Sequence, residues 1–176
     1  MQGDTNSTWI SLRDKFGLPE SLVDAIIADF EALDATKPGH DRTETEQRLA
    51  DAPLDLAALS AHLQDKYEIN RRAAGELSSI FSHKAGSQIG VERQLSLGVV
   101  KGKWRFTPGA PQMVCDHASL DNSEFDLRKG LRFGGQYILP GREPGCRCFV
   151  QPVIPGFDDQ RRGLLSRLIR WLLGQR

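Results

Sequence analysis

Net charge is the first thing this sequence lacks. Among 176 residues, lysine plus arginine number 23 and aspartate plus glutamate number 23. A zero balance provides no general attraction to a phosphate backbone, so DNA contact has no support from net charge. Cysteine is also scarce. Three is an odd number, which argues against the fully paired disulfide framework of a small secreted domain. No apolar run approaches the roughly 20 residues needed to cross a bilayer, so no transmembrane segment is expected. The opening "MQGDTNSTWISLRDKFG" has no basic start followed by an apolar run, and no signal peptide is expected. Repeats and low-complexity tracts are absent. The expectation is a soluble chain made in the cytoplasm, forming one domain or one small domain with arms.

What is present is ordinary globular material, 39% hydrophobic and 26% charged. The charge is unevenly placed. Residues 14 to 68 are rich in acids, whereas Arg161, Arg162, Arg167, Arg170 and Arg176 make the last stretch basic. "GLPESLVDAIIADFEALDATKPGHD" predicts a first helix. Pro19 suits its first turn, and Leu22, Ile26, Ile27, Phe30 and Leu33 recur at helical spacing. "ATKPGHDRTETEQ" reads as a polar linker around Pro38-Gly39. Asp55 then opens a long helical stretch, with one stripe at Leu56, Leu59, Leu63 and Tyr67. A second stripe follows at Ile69, Ala73, Leu77, Ile80 and Phe81. Such stripes are core or helix-pair contacts.

After Gly98 the texture changes. "VVKGKWRFTP" reads as strand, glycine turn, strand, and "LRFGGQYILPG" and "CRCFVQPVIPG" read the same way. The expected fold class is α+β: N-terminal helices, then a small irregular β-rich unit, then a C-terminal amphipathic helix.

Four residues carry the strongest chemical signal. Cys115 and His117 form a C-x-H pair, and Cys146 and Cys148 form a C-x-C pair. Four soft ligands in two close pairs suit a structural, tetrahedral zinc site that staples a loop-rich unit. Two other readings stand beside it. Cys146 and Cys148 can pack as reduced thiols on alternate positions of one strand face, or a disulfide can involve Cys115. A thiol enzyme would use His117 as base with Arg142 and Arg147 lowering a thiol's pKa, but no orienting third partner or oxyanion hole stands out. His40, His62 and His83 have no partners at metal or catalytic spacing and read as surface residues. "GVVKGKW" lacks the spacing of a phosphate loop.

The C-terminal stretch is the second signal. Leu164, Leu165, Leu168, Ile169, Leu172 and Leu173 recur in adjacent pairs every four residues, with Arg167 and Arg170 on the other side. A basic amphipathic helix of this kind fits its own domain, a partner's groove, an anionic membrane surface or a nucleic-acid backbone. The reading taken is a partner, with Leu164, Leu165, Leu168, Ile169, Leu172, Arg167 and Arg170 as contact residues.

Several phrases in one order resemble the phage Mu protein F-like family of minor capsid and head-morphogenesis proteins. Across about residues 69 to 155 these are "RQLSLG" from Arg93 to Gly98, an aromatic strand at Trp104, "H-x-x-L-D" at His117, Leu120 and Asp121, and "P-G-x-x-x-x-C-R-C-x-x-x-P-V" from Pro140 to Val153. Many members carry an arginine just ahead of the histidine and a glycine after "L-D", where this chain has Val114 to Asp116 and Asn122, and many are longer. The resemblance implies that the C-R-C turn and the histidine phrase meet in space. It implies a structural assembly component, not an enzyme, that interacts with phage portal and capsid proteins in the virion or in the host cytoplasm during assembly. The corresponding organisation is a helical arm and linker over 1–50, the head-morphogenesis domain over 51–157 and the basic amphipathic helix over 158–176. The rivals are a zinc- or thiol-dependent enzyme and a toxin-like, membrane-active accessory protein working through the C-terminal helix.

Overall fold

The computed structural model describes residues 5–36, 43–108 and 115–156. The C-terminal helix expected over 158–176, with all its partner-contact residues from Leu164 to Leu172, lies outside the described residues. So do His40 and the Pro38-Gly39 centre of the expected linker.

The fold is α+β. Among the described residues five helices come first: α1 (Thr5–Phe16), α2 (Glu20–Ala32), α3 (Glu44–Asp51), α4 (Leu56–Tyr67) and α5 (Arg71–Ser96). Five short strands follow: β1 (Lys101–Arg105), β2 (Glu124–Asp126), β3 (Leu131–Phe133), β4 (Gln136–Ile138) and β5 (Phe149–Pro152), with one 3-10 turn at His117–Leu120. No helix among the described residues is long and apolar enough to cross a membrane.

Three parts of the helical half differ from the expectation. The helix that begins after Pro19 is α2, the second. α1 precedes it and buries Trp9 and Leu12, three positions apart on one face. The supposed linker contains α3. Thr43 and Glu46 there form a reciprocal capping box, the hydroxyl accepting from the Glu46 amide and the carboxylate accepting from the Thr43 amide. The long stretch from Asp55 is two helices. Glu68 adopts a left-handed φ of 53° that ends α4, and Asn70 restarts the chain by accepting from the amides of Arg72 and Ala73. Asp55 caps α4 through the Ala58 amide, as its position predicts.

All five helices contribute to one apolar cluster. Trp9, Ile26, Phe30, Leu49, Leu63, Leu77 and Phe81 are buried there, and Phe30 stacks edge-on against both Trp9 and Phe81. α5 is the spine. Its 26 residues span about 39 Å, long enough to serve the helical cluster at one end and the β-rich unit at the other.

The strands form a three-stranded antiparallel sheet in the order β2-β1-β5 and a separate β3-β4 hairpin. The "LRFGGQYIL" hairpin forms as expected, with Gly134 and Gly135 at positive φ in the turn. "VVKGKWRFTP", however, is a single strand, β1. Gly102 sits inside it, paired with Phe125 on one side and Pro152 on the other. An added Cβ would lie 2.6 Å from Val150 Cγ1 and 2.7 Å from Leu127 Cδ2. The glycine permits close packing and makes no turn. "CRCFVQPVIPG" likewise holds one strand, β5. Trp104, fully buried on β1, centres a second apolar cluster with Val91, Leu120, Phe125, Leu127, Cys146 and Cys148.

Candidate metal centre

Two loops converge on the inner face of the three-stranded sheet. The first carries Cys115 and His117. It is held to β1 by a hydrogen bond from the Asn122 amide to the Trp104 carbonyl and one from the Trp104 amide to the Ser123 carbonyl. The Asp121 carboxylate accepts from the Phe106 amide at 2.9 Å. His117 opens the 3-10 turn and is buried between the edges of Trp104 and Phe133, with ring centroids 5.1 and 5.3 Å away. The aromatic walls leave the imidazole little rotational freedom.

The second loop carries Cys146 and Cys148. Gly141 and Gly145 take φ of 74° and 75°, which glycine adopts without strain, and the Cys146 amide closes a turn onto the Glu143 carbonyl. Both cysteines precede β5, so they do not alternate along a strand face. The helical layer holds this loop from behind. Ser87 on α5 donates to the Pro140 carbonyl, and Thr8 on α1 donates to the Pro144 carbonyl at 3.3 Å. Gly141 fits so closely that an added Cβ would meet the Cys148 carbonyl oxygen, His83 Nε2 and Ser87 Cβ, each at 3.1 Å.

The donor atoms of Cys115, His117, Cys146 and Cys148 all lie within 4.8 Å of one another. Cys115 Sγ is 3.6 Å from Cys148 Sγ, and His117 Nδ1 is 3.5 Å from Cys146 Sγ and 4.0 Å from Cys148 Sγ. His117, Cys146 and Cys148 are buried and Cys115 is half-buried. All three cysteines are free thiols, and the 3.6 Å separation is far outside disulfide bonding. Three sulfurs and one nitrogen from four side chains form a set that could hold a metal ion.

The ionisable groups of this cluster perturb one another strongly. Hydrogen bonds from Cys146 and Cys148 pull the Cys115 thiol well below its usual range, while Cys115, Cys148 and burial push Cys146 up. Burial opposes charge on His117. Its hydrogen bonds to Cys115, Cys148 and Glu143 outweigh that and raise it to about 11. The carboxylate partner, Glu143, escaped sequence reasoning, because "GREPGC" has no spacing that marks it. Its Oε2 lies 3.2 Å from His117 Nε2, so the ring points Nδ1 at the sulfurs and Nε2 at a carboxylate. That is how metal-binding imidazoles are commonly held.

The other nominated residues fall elsewhere. Burial lowers Arg142, and its charge faces Asp34 and Glu92. His62 and His83 are not plain surface residues. His62 Nε2 is 2.8 Å from Thr45 Oγ1 and its Nδ1 is 3.5 Å from Glu44. His83 is half-buried beside Cys146 and Arg147. Neither contact was visible in the sequence, because Thr45 and His62 sit on different helices.

Comparison with known protein families, with curated proteins and with solved structures finds no match to this chain.

Proposed function

We infer that this chain is a minor capsid or head-morphogenesis protein of a phage or prophage. It is a structural component, not an enzyme, and its β-rich unit is stapled by zinc. The observation that carries this reading is the convergence of the "C-D-H" and "C-R-C" phrases on one buried point. His117 and the "C-R-C" turn belong to the phrases that carry the resemblance to the Mu protein F-like family, whereas Cys115 lies outside them. A second detail supports it. Asn122 takes a left-handed φ of 65°, at the place where many such proteins carry glycine. Asparagine is among the few other residues that tolerate that conformation.

Zinc suits the donor set. With bonds of about 2.3 Å to sulfur and about 2.0–2.1 Å to nitrogen, a tetrahedral site separates its sulfurs by about 3.8 Å. It places sulfur and nitrogen about 3.6 Å apart. The observed 3.6, 3.5 and 4.0 Å lie close to those values. Three soft thiolates favour zinc over magnesium or calcium. Four protein ligands leave no open coordination position, which favours a structural role over a catalytic one. The helical part would meet the portal or capsid proteins, in the host cytoplasm during assembly and then in the virion.

The test is physical association. The tagged chain should co-sediment with assembled heads and their portal when expressed during phage induction. Its absence from heads that assemble and package normally would overturn the assembly role.

A further inference from the structure

A groove of about 390 Å³ runs along α5 on the side opposite the helical cluster. Its floor is made of small residues, Ser79, Ser82, Gly86 and Gly90, and its far wall is Phe149 and Val150 of β5. Its rims are apolar and open. Leu54 is 85% exposed, Phe149 52% and Leu56 43%. These apolar side chains border one open groove and offer a surface that an apolar segment could cover.

The path of the chain points to the occupant. β5 runs antiparallel to β1, with Gly102 opposite Pro152, and the Val153 amide donates to the Lys101 carbonyl. Continuing that register sets Ile154 opposite Val100, and both are exposed. The last described residues therefore lie beside the C-terminal end of α5, at the end of the groove marked by Gln94. From Ser82 to Gln94 the groove follows about 18 Å of helix axis. As the helix its sequence predicts, the apolar segment Leu164–Leu173 is about 14 Å long. The eight residues from Gly156 to Leu164 can span up to roughly 26 Å. Laid antiparallel to α5, this segment would place its C-terminal end, with Arg176, towards Asp51 and Asp55, which flank exposed Leu54.

We propose that this groove is the docking site of the chain's own C-terminal segment, residues 158–176. The leucine face lies on the floor between Leu54 and Phe149, and the arginine face looks outward. The short tether favours this occupant, because it holds the segment at high effective concentration over its own groove. The proposal goes beyond the assembly reading and holds whether or not the chain enters a phage head. It changes one expectation drawn from the sequence. In the free protein the leucines face their own domain, which leaves Arg167 and Arg170 as the side presented to a partner.

A benzophenone amino acid placed at Leu168 of the full-length, metal-replete protein tests this. On irradiation of dilute monomer, cross-links mapped by mass spectrometry should fall within the chain, at Leu54, Leu56 and Phe149. The companion variant is Gly86→Leu. A Cβ at Gly86 meets nothing within 4 Å, so this substitution fills the groove without disturbing the helix. It should reduce those cross-links at least fivefold while the far-ultraviolet spectrum and melting temperature hold. Cross-links between two chains would make the occupant a second copy and overturn the proposal. So would an absence of groove cross-links in the parent protein, or cross-links that survive in a folded Gly86→Leu variant.

Discussion

Thr8 and Pro144 lie 136 residues apart in the sequence, yet the Thr8 hydroxyl donates to the Pro144 carbonyl at 3.3 Å. This contact ties the first helix to the turn that delivers Cys146. Together with Ser87 on Pro140, it connects the proposed metal loop to the helical layer. Loss of the metal should therefore be felt well beyond the β-rich unit.

Protein purified without chelator should carry about one zinc per chain, bound by Cys115, His117, Cys146 and Cys148. Metal analysis measures this directly. Removing it, or replacing Cys146 by serine, should lower the melting temperature by about 10 °C or more, since each kcal/mol is worth roughly 2–4 °C in a chain of this size. If no zinc is found and chelators leave melting unchanged, the cluster is a set of buried thiols.

Glu143 orients His117 without belonging to the donor set. Glu143→Gln should keep the metal but weaken its affinity by about 10- to 100-fold, the range seen when such supporting carboxylates are lost. Competition against a chromogenic chelator reads this. Affinity equal to that of the parent protein would mean that the 3.2 Å contact does not position the ring.

Two glycines should respond in opposite directions. At Gly102 a methyl group meets Val150 and Leu127 at under 3 Å, so Gly102→Ala should destabilise by about 1–3 kcal/mol. At Gly90 nothing lies within 4 Å, and Gly90→Ala should stabilise α5 by about 0.5–1 kcal/mol. Urea midpoints at a constant slope measure both.

His62 sets an acid limit on stability. Burial lowers its pKa below the ordinary 6.5, with the Glu44 charge opposing. As pH falls through 6.5 the unfolded chain takes up a proton that the folded chain resists, so stability declines on acidification. His62→Gln should remove part of that decline, leaving a flatter stability profile between pH 7 and the folded-state pKa. An unchanged profile would show that His62 is not a source of the acid sensitivity.

The sequence exposed some of this architecture and hid the rest for identifiable reasons. The α+β order was readable because the apolar period changes near Gly98, from helical stripes to short runs broken by glycine and proline. Asp55 was visible as a cap because an apolar helix follows it at once. α3 was hidden by its polarity, since Leu49 is its one large buried apolar residue, although the T-x-x-E box was in view. Gly102 was misread as a turn because the close approach of β5 cannot be inferred from β1 alone. At the site, the two close pairs of ligands announced themselves. Glu143, Thr8 and Ser87 did not, because their roles depend on tertiary contacts over separations that leave no periodic trace.

The seat for the metal loop has a further consequence for the order of folding. Among the described residues, the helical cluster lies wholly at or before Ile89, so that layer can close on its own contacts. Its contacts span much shorter loops than the one joining Thr8 to Pro144, and short loops close first. Pulse-labelled hydrogen exchange should accordingly show α4 and α5 protected before β1 and β5. During synthesis, Thr8, His83 and Ser87 would already stand assembled when the cysteine turn emerges, so the last half of the chain folds against a finished template.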